Sequence, residues 1–201
     1  MIKIIVKEIV KYRIRLELIA TIDPILKVTP LEVANNLRRI LLSEIPTVAI
    51  DKVIFYKNET YLVDELLEHR IKLVPIFTED TSIKIFMNVT CSPEEFDICP
   101  VMSDYLVPDK KNIKIMGGIL LVHLAPGKNL KFECVLKKGT GKEDIRFSPV
   151  TIVFFKDIDE QSFNFFFEVI EGYDPLNILE KAVKIFNEKN EHKKIHAFIF
   201  K

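Results

Sequence analysis

The chain has 201 residues, 48% hydrophobic and 29% charged, enough for a folded protein with a substantial core. Its 29 basic residues are balanced by 29 acidic ones, which argues against a protein built mainly to grip phosphates. No stretch reaches the roughly 20 apolar residues that span a bilayer.

The first 18 residues are apolar but broken by Lys3, Lys7, Glu8 and Lys11. They lack the continuous apolar run and small-residue cleavage site of a signal peptide. The protein is therefore expected inside the cell; the source decides between cytoplasm, nucleus and virion. Cys91, Cys99 and Cys134 show neither a C-x-x-C pair nor a zinc-site spacing, so they are expected as thiols in a reducing compartment.

In residues 12–18, Tyr12, Ile14, Leu16 and Leu18 alternate with Arg13, Arg15 and Glu17, the pattern of a half-buried antiparallel strand. Asp23-Pro24 marks a turn. A helix follows, with Thr29 as N-cap, Pro30 at its first position and Glu32 completing a capping box. Its stripe is Val33, Ala34, Leu37, Ile40, Leu41 and Ile45, and Pro46 closes it. Residues 52–56 read as a strand and Asp64 to Lys72 as a short helix stopped by Pro75. Further strands are expected near 83–89, 119–124, 130–137, 150–155 and 163–170. The stretch 91–118, with its prolines and charges, reads as a long irregular excursion. A second long helix starts at Asp174-Pro175 and runs to about Glu188, its stripe made by Leu176, Leu179, Ala182, Val183 and Phe186.

These elements predict an α+β fold: two long amphipathic helices, one near each end, around a β-rich middle. Both stripes are wider than one sheet face requires. Either a partner chain covers the second side or the two helices pack on each other; the pattern leaves both open.

The run from Val33 to Asp51, VANNLRRILLSEIPTVAID, resembles the signature of the α-like RNA polymerase subunits: the bacterial α amino-terminal domain, the archaeal D subunit and the eukaryotic third-largest subunit. The resemblance continues in order through Asp64–Ile76, Leu124–Lys128, Lys137–Glu143, Arg146–Pro149 and Phe167–Gly172 to the Asp174–Phe186 helix. It implies a dimerisation domain of residues 1–51 and 149–201, and an inserted β-rich domain at 52–148. It implies a non-catalytic assembly subunit. Its partners would be a smaller α-like subunit in a heterodimer and the second-largest and largest polymerase subunits. DNA would be met only through the assembled enzyme, and no membrane, cofactor or metal is implied.

On this resemblance Val33, Ala34, Leu37, Ile40, Leu41, Leu179, Ala182, Val183 and Phe186 would face the related subunit. Arg38, Arg39, Arg70 and Lys142 are the candidates for large-subunit contact. Arg39 resembles a family contact position; Arg38, its neighbour, projects about 100° away on a helix. The family's Gly-Leu is Lys72-Leu73 here, and the closing segment IHAFIF has no family counterpart.

Other motifs carry less. Gly139-Thr-Gly-Lys142 is followed by Glu143, not the Ser or Thr of a phosphate loop. His192 and His196 lack a third ligand. Two rival functions remain: a cysteine-dependent enzyme using Cys91 or Cys99, which needs a reactive thiol, and a stand-alone nucleic-acid-binding β module using Lys110, Lys111, Lys137, Lys138 and Lys142.

Overall fold

The computed structural model describes residues 2–20, 29–92, 94, 98–111, 113–189 and 195–200. The Asp23-Pro24 turn and His192 lie outside them. In chain order the elements are β1 (Ile2–Val10), β2 (Arg13–Ala20), α1 (Pro30–Ser43), β3 (Pro46–Asn58), α2 (Asp64–Lys72), β4 (Ile76–Phe77), β5 (Lys84–Thr90), β6 (Cys99–Met102), β7 (Val107–Pro108), β8 (Lys114–Ile115), β9 (Leu120–Leu124), β10 (Asn129–Thr140), β11 (Val150–Asp157), β12 (Ser162–Val169), α3 (Pro175–Lys189) and β13 (Ile195–Phe200). The fold is mixed α+β, with three α-helices among the described residues. Among the described residues no helix is long and apolar enough to cross a membrane.

The chain divides into two compact units: the segments up to Pro46 and from Thr140 form one, and Thr47–Gly139 forms the other. In the first unit the sheet order is β11-β12-β2-β1-β13, antiparallel except for the parallel β1–β13 pair. Register aligns the inward side chains in rows across the sheet. Ile4, Leu18 and Phe163 make one row, and Val6, Leu16 and Phe165 the next. All six are buried. At roughly 1.5–3 kcal/mol for each large apolar side chain removed from water, such rows dominate the stability of the unit.

Both helices add to this core. The Thr29 hydroxyl accepts the Glu32 N–H at 3.3 Å, and the Glu32 carboxylate accepts the Thr29 N–H at 3.2 Å, so α1 opens with the expected capping box. Asp174 accepts the N–H groups of Leu176 and Asn177 at the start of α3. α1 packs on β2 and β11, α3 on β12 and β13, and the two helices touch each other.

In the second unit the sheet order is β3-β10-β5-β7, accompanied by the ribbons β4-β8 and β6-β9. Leu130, Phe132, Cys134 and Leu136 from β10 meet Ile85 and Met87 from β5 and Leu67 and Ile71 from α2 in its core.

Four features differ from the sequence reading. β1 was not foreseen, although Ile2, Ile4 and Val6 alternate with Lys3, Ile5 and Lys7. β3 begins at Pro46 rather than 52, because Val48 and Ile50 are core residues. The excursion at 91–118 holds β6, β7, β8 and a 3₁₀ turn at Ser103–Tyr105. Cys91 and Cys99 are joined in a disulfide instead of standing as thiols; the fold brings the end of β5 beside the start of β6, which their separation in sequence does not reveal.

Candidate functional site

Val33, Ala34, Leu37, Ile40 and Leu41 on α1 and Leu179, Ala182, Val183 and Phe186 on α3 are all at most 6% exposed within the single chain. They belong to one core with the five-stranded sheet. Within the single chain these nine side chains, expected to face a related subunit, are packed inside the core. The physical reason is the pairing of α1 with α3: each helix buries one side on the sheet and a second on the other helix.

A different line of α1 stays accessible. Leu31 is 48% exposed, and Asn35, Arg38 and Leu42, at four-, three- and four-residue steps from it, are half-buried. On α3, Leu176 and Ile185 are half-buried at the margin of the core.

The end of α1 is held by the loop after β10. The Ser43 hydroxyl donates to the Arg39 carbonyl at 2.8 Å, and the Lys142 N–H donates to the Ser43 carbonyl at 2.9 Å. Arg39 and Lys142 are exposed and stand at the same end of the helix. Arg146 lies over the Phe147 ring, 5.0 Å from its centroid, and beside Asp144. Ser43 thus links the backbones of Arg39 and Lys142, and Arg38 lies on the half-buried line. Arg70 belongs to the other unit, where its guanidinium donates to the Leu120 carbonyl at 3.0 Å and ties α2 to β9.

The rival sites fare differently. The disulfide leaves Cys91 and Cys99 without a free thiol. Cys134 is fully buried, and that burial pushes its thiol up to about 12, far from a reactive thiolate. Of the five lysines of the nucleic-acid reading, Lys142 lies in one unit and the other four in the second. Lys110 is engaged by Asp80 at 2.8 Å and Ser82 at 2.7 Å, and it holds the Asp80 carboxyl well below the usual range. Gly139–Lys142 runs from β10 into a turn against the end of α1, not into a helix N-terminus that could cradle phosphate. Among the described residues no group of three or more His, Cys, Asp or Glu is placed to hold a metal ion.

Sequence reasoning missed one ordered polar group. Glu133 is 6% exposed, accepts from the Tyr56 hydroxyl at 2.8 Å and pairs with Lys84 at 2.7 Å. Lys84 and the Tyr56 hydroxyl hold its carboxyl below the usual range, and Glu133 in turn raises Tyr56. The signal was the alternation on β10, where Lys131 and Glu133 interrupt the buried Leu130, Phe132 and Cys134.

A family model described as the RNA polymerase Rpb3/Rpb11 dimerisation domain matches residues 23–190. The chain is similar to the DNA-directed RNA polymerase subunit Rpo3 of Methanocaldococcus jannaschii, 32% identical over 188 residues and covering 94% of each chain. It is similar to the Rpo3 subunit of Pyrococcus horikoshii, 31% identical over 81% of this chain and 64% of that one. It is also similar to the RNA polymerase II subunit rpb3 of Dictyostelium discoideum, 30% identical over 62% of this chain and 50% of that one.

Proposed function

The chain belongs to the RNA polymerase Rpb3/Rpb11 dimerisation-domain family, the α-like subunits of DNA-directed RNA polymerase, and from this we propose that it is a non-catalytic assembly subunit that pairs with a smaller α-like subunit and then docks the second-largest subunit. The observation that carries the reading is the single family match from residue 23 to residue 190, which takes in both α1 and α3.

Pairing uses the unit that holds both helices. Its contact is the line Leu31, Asn35, Arg38 and Leu42 on α1, with Leu176 and Ile185 of α3 beside the core. The buried stripe beneath keeps that surface rigid, so little side-chain freedom is lost on association. Docking of the second-largest subunit uses Arg39 and Lys142 at the end of α1. Arg39 carries a planar fork of donors suited to carboxylates and backbone carbonyls.

Co-expression with a smaller α-like subunit of the same source tests the pairing. A stable one-to-one complex by sedimentation supports it; a chain that stays alone or only self-associates overturns it. Arg39→Ala tests the docking: the complex should form normally while capture of the second-largest subunit falls. Unchanged capture removes Arg39 from the contact.

A further inference from the structure

The four-stranded sheet β3-β10-β5-β7 buries one side only. The other side carries Ile54, Tyr56, Phe86 and Val107, each between 39% and 61% exposed. Phe86 stands directly opposite Val107 and, on its other side, opposite Glu133, which Tyr56 touches; the aromatic and aliphatic groups therefore share one face. Scattered exposed apolar side chains are ordinary, but four on one sheet face make a patch that calls for a cover.

The charges on this face are mostly of one sign. Lys52 precedes Tyr56 on β3 by two outward steps, Lys84 and Lys131 flank Glu133, and Lys137 follows it on β10. Glu133 and, at the sheet edge, Asp109 are the carboxylates beside them; Glu133 is already engaged by Lys84 and Tyr56, and Lys52 and Lys131 pair with no carboxylate among the described residues. Asp109 accepts the Lys84 N–H at the sheet edge. The face is also ordered in advance. Glu133 fixes the Tyr56 hydroxyl and the Lys84 ammonium, and Lys131 lies 5.9 Å over the Tyr56 ring. Side chains already held in place lose less freedom when a ligand lands on them.

We propose that this face docks an extended acidic peptide segment of another protein, one that alternates carboxylates with aliphatic or aromatic side chains. An extended peptide repeats its side chains on one side about every 7 Å, the spacing of the outward positions on the strands. Its apolar groups cover Ile54, Tyr56, Phe86 and Val107, and its carboxylates meet Lys52 and Lys131. A nucleic acid fits less well. Ile54 and Val107 offer no stacking surface, and Lys131 already occupies one face of the Tyr56 ring. The proposal does not rest on the pairing of the chain with a smaller subunit.

The test uses the full chain and a fluorescein-labelled synthetic peptide alternating Glu or Asp with Leu or Phe. A peptide with lysine in place of the acids and an oligo-dT strand are the controls. Anisotropy should show binding of the acidic peptide and none of the basic one. The double variant Lys52→Glu/Lys131→Glu should weaken binding about tenfold, with salt dependence reduced and thermal melting unchanged. Phe86→Ser should weaken it while leaving the salt dependence alone. Absence of binding, or affinity unchanged in both variants, overturns the proposal. Oligo-dT bound through the same lysines in place of the peptide overturns it in favour of a nucleic-acid surface.

Discussion

The carbonyl oxygen of Leu42 lies 2.6 Å from where a Cβ on Gly141 would stand, and the Ser43 Cα only 3.2 Å away. The glycine is required by approach, since its backbone is not in the left-handed region. It lets the loop after β10 come against the last turn of α1, whose final carbonyls have no partner within the helix. The Lys142 N–H takes the Ser43 carbonyl, and the Ser148 hydroxyl lies 3.0 Å from the Leu42 carbonyl. Gly141→Ala should therefore force backbone against backbone and lower stability by about 1–3 kcal/mol. Urea denaturation of the two proteins measures this. An unchanged midpoint would show that the loop is free to retreat.

The Glu133 network sets a pH dependence. The Glu133 carboxyl is held below its usual range, first by Lys84 and then by the Tyr56 hydroxyl. A carboxyl depressed in the folded state stabilises above its unfolded pKa and loses that contribution as pH falls through the folded value. Glu133→Gln should therefore be less stable than the parent at neutral pH, and the gap should close on acidification. Denaturation midpoints of both proteins from neutral pH downward check it. A gap that stays constant would show that the carboxylate charge contributes nothing.

Thiol labelling separates the three cysteines. The unreduced folded protein should take up no iodoacetamide, because Cys91 and Cys99 are bonded and Cys134 is buried with its thiol pushed up to about 12. Mild reduction should expose two labelling sites without unfolding. Cys99→Ser should cost about 2–3 kcal/mol through the loss of a short closed loop. Labelling of Cys134 in the native state would contradict its place in the core.

Local chemistry made much of the fold legible. Thr29, Pro30 and Glu32 announce α1, and Asp174-Pro175 announces α3, because caps act within one turn of the chain. β2 was plain from the alternation of Ile14, Leu16 and Leu18 with Arg13, Arg15 and Glu17. What escaped depends on distance in sequence. The Cys91–Cys99 bond needs β5 and β6 brought side by side. β1 hides behind a nearly continuous apolar run in which Ile5 blurs the alternation. The stripe of Leu37 and Phe186 looked like a partner surface, because one sequence pattern serves both an interface and a helix pair within the chain. The tertiary contact of α1 with α3, which buries the stripe within the chain, is not written in that pattern.

That burial changes how pairing must be tested. Leu37 is fully buried between α1, α3 and the sheet. Leu37→Asp would place an uncompensated charge in the core, and its loss of pairing would report only a lost fold. Leu31 lies on the same helix, six residues earlier, and is 48% exposed. Leu31→Asp should leave the melting temperature of the isolated chain close to the parent value. It should weaken association with a smaller α-like subunit about tenfold or more, because a charge would be desolvated at the contact. Sedimentation of the co-expressed pair, read beside the melting curve of each chain, keeps the two effects apart. If Leu31→Asp pairs like the parent while retaining its fold, the partner covers neither Leu31 nor the Asn35–Arg38–Leu42 line beside it, and pairing would have to use another surface of this unit.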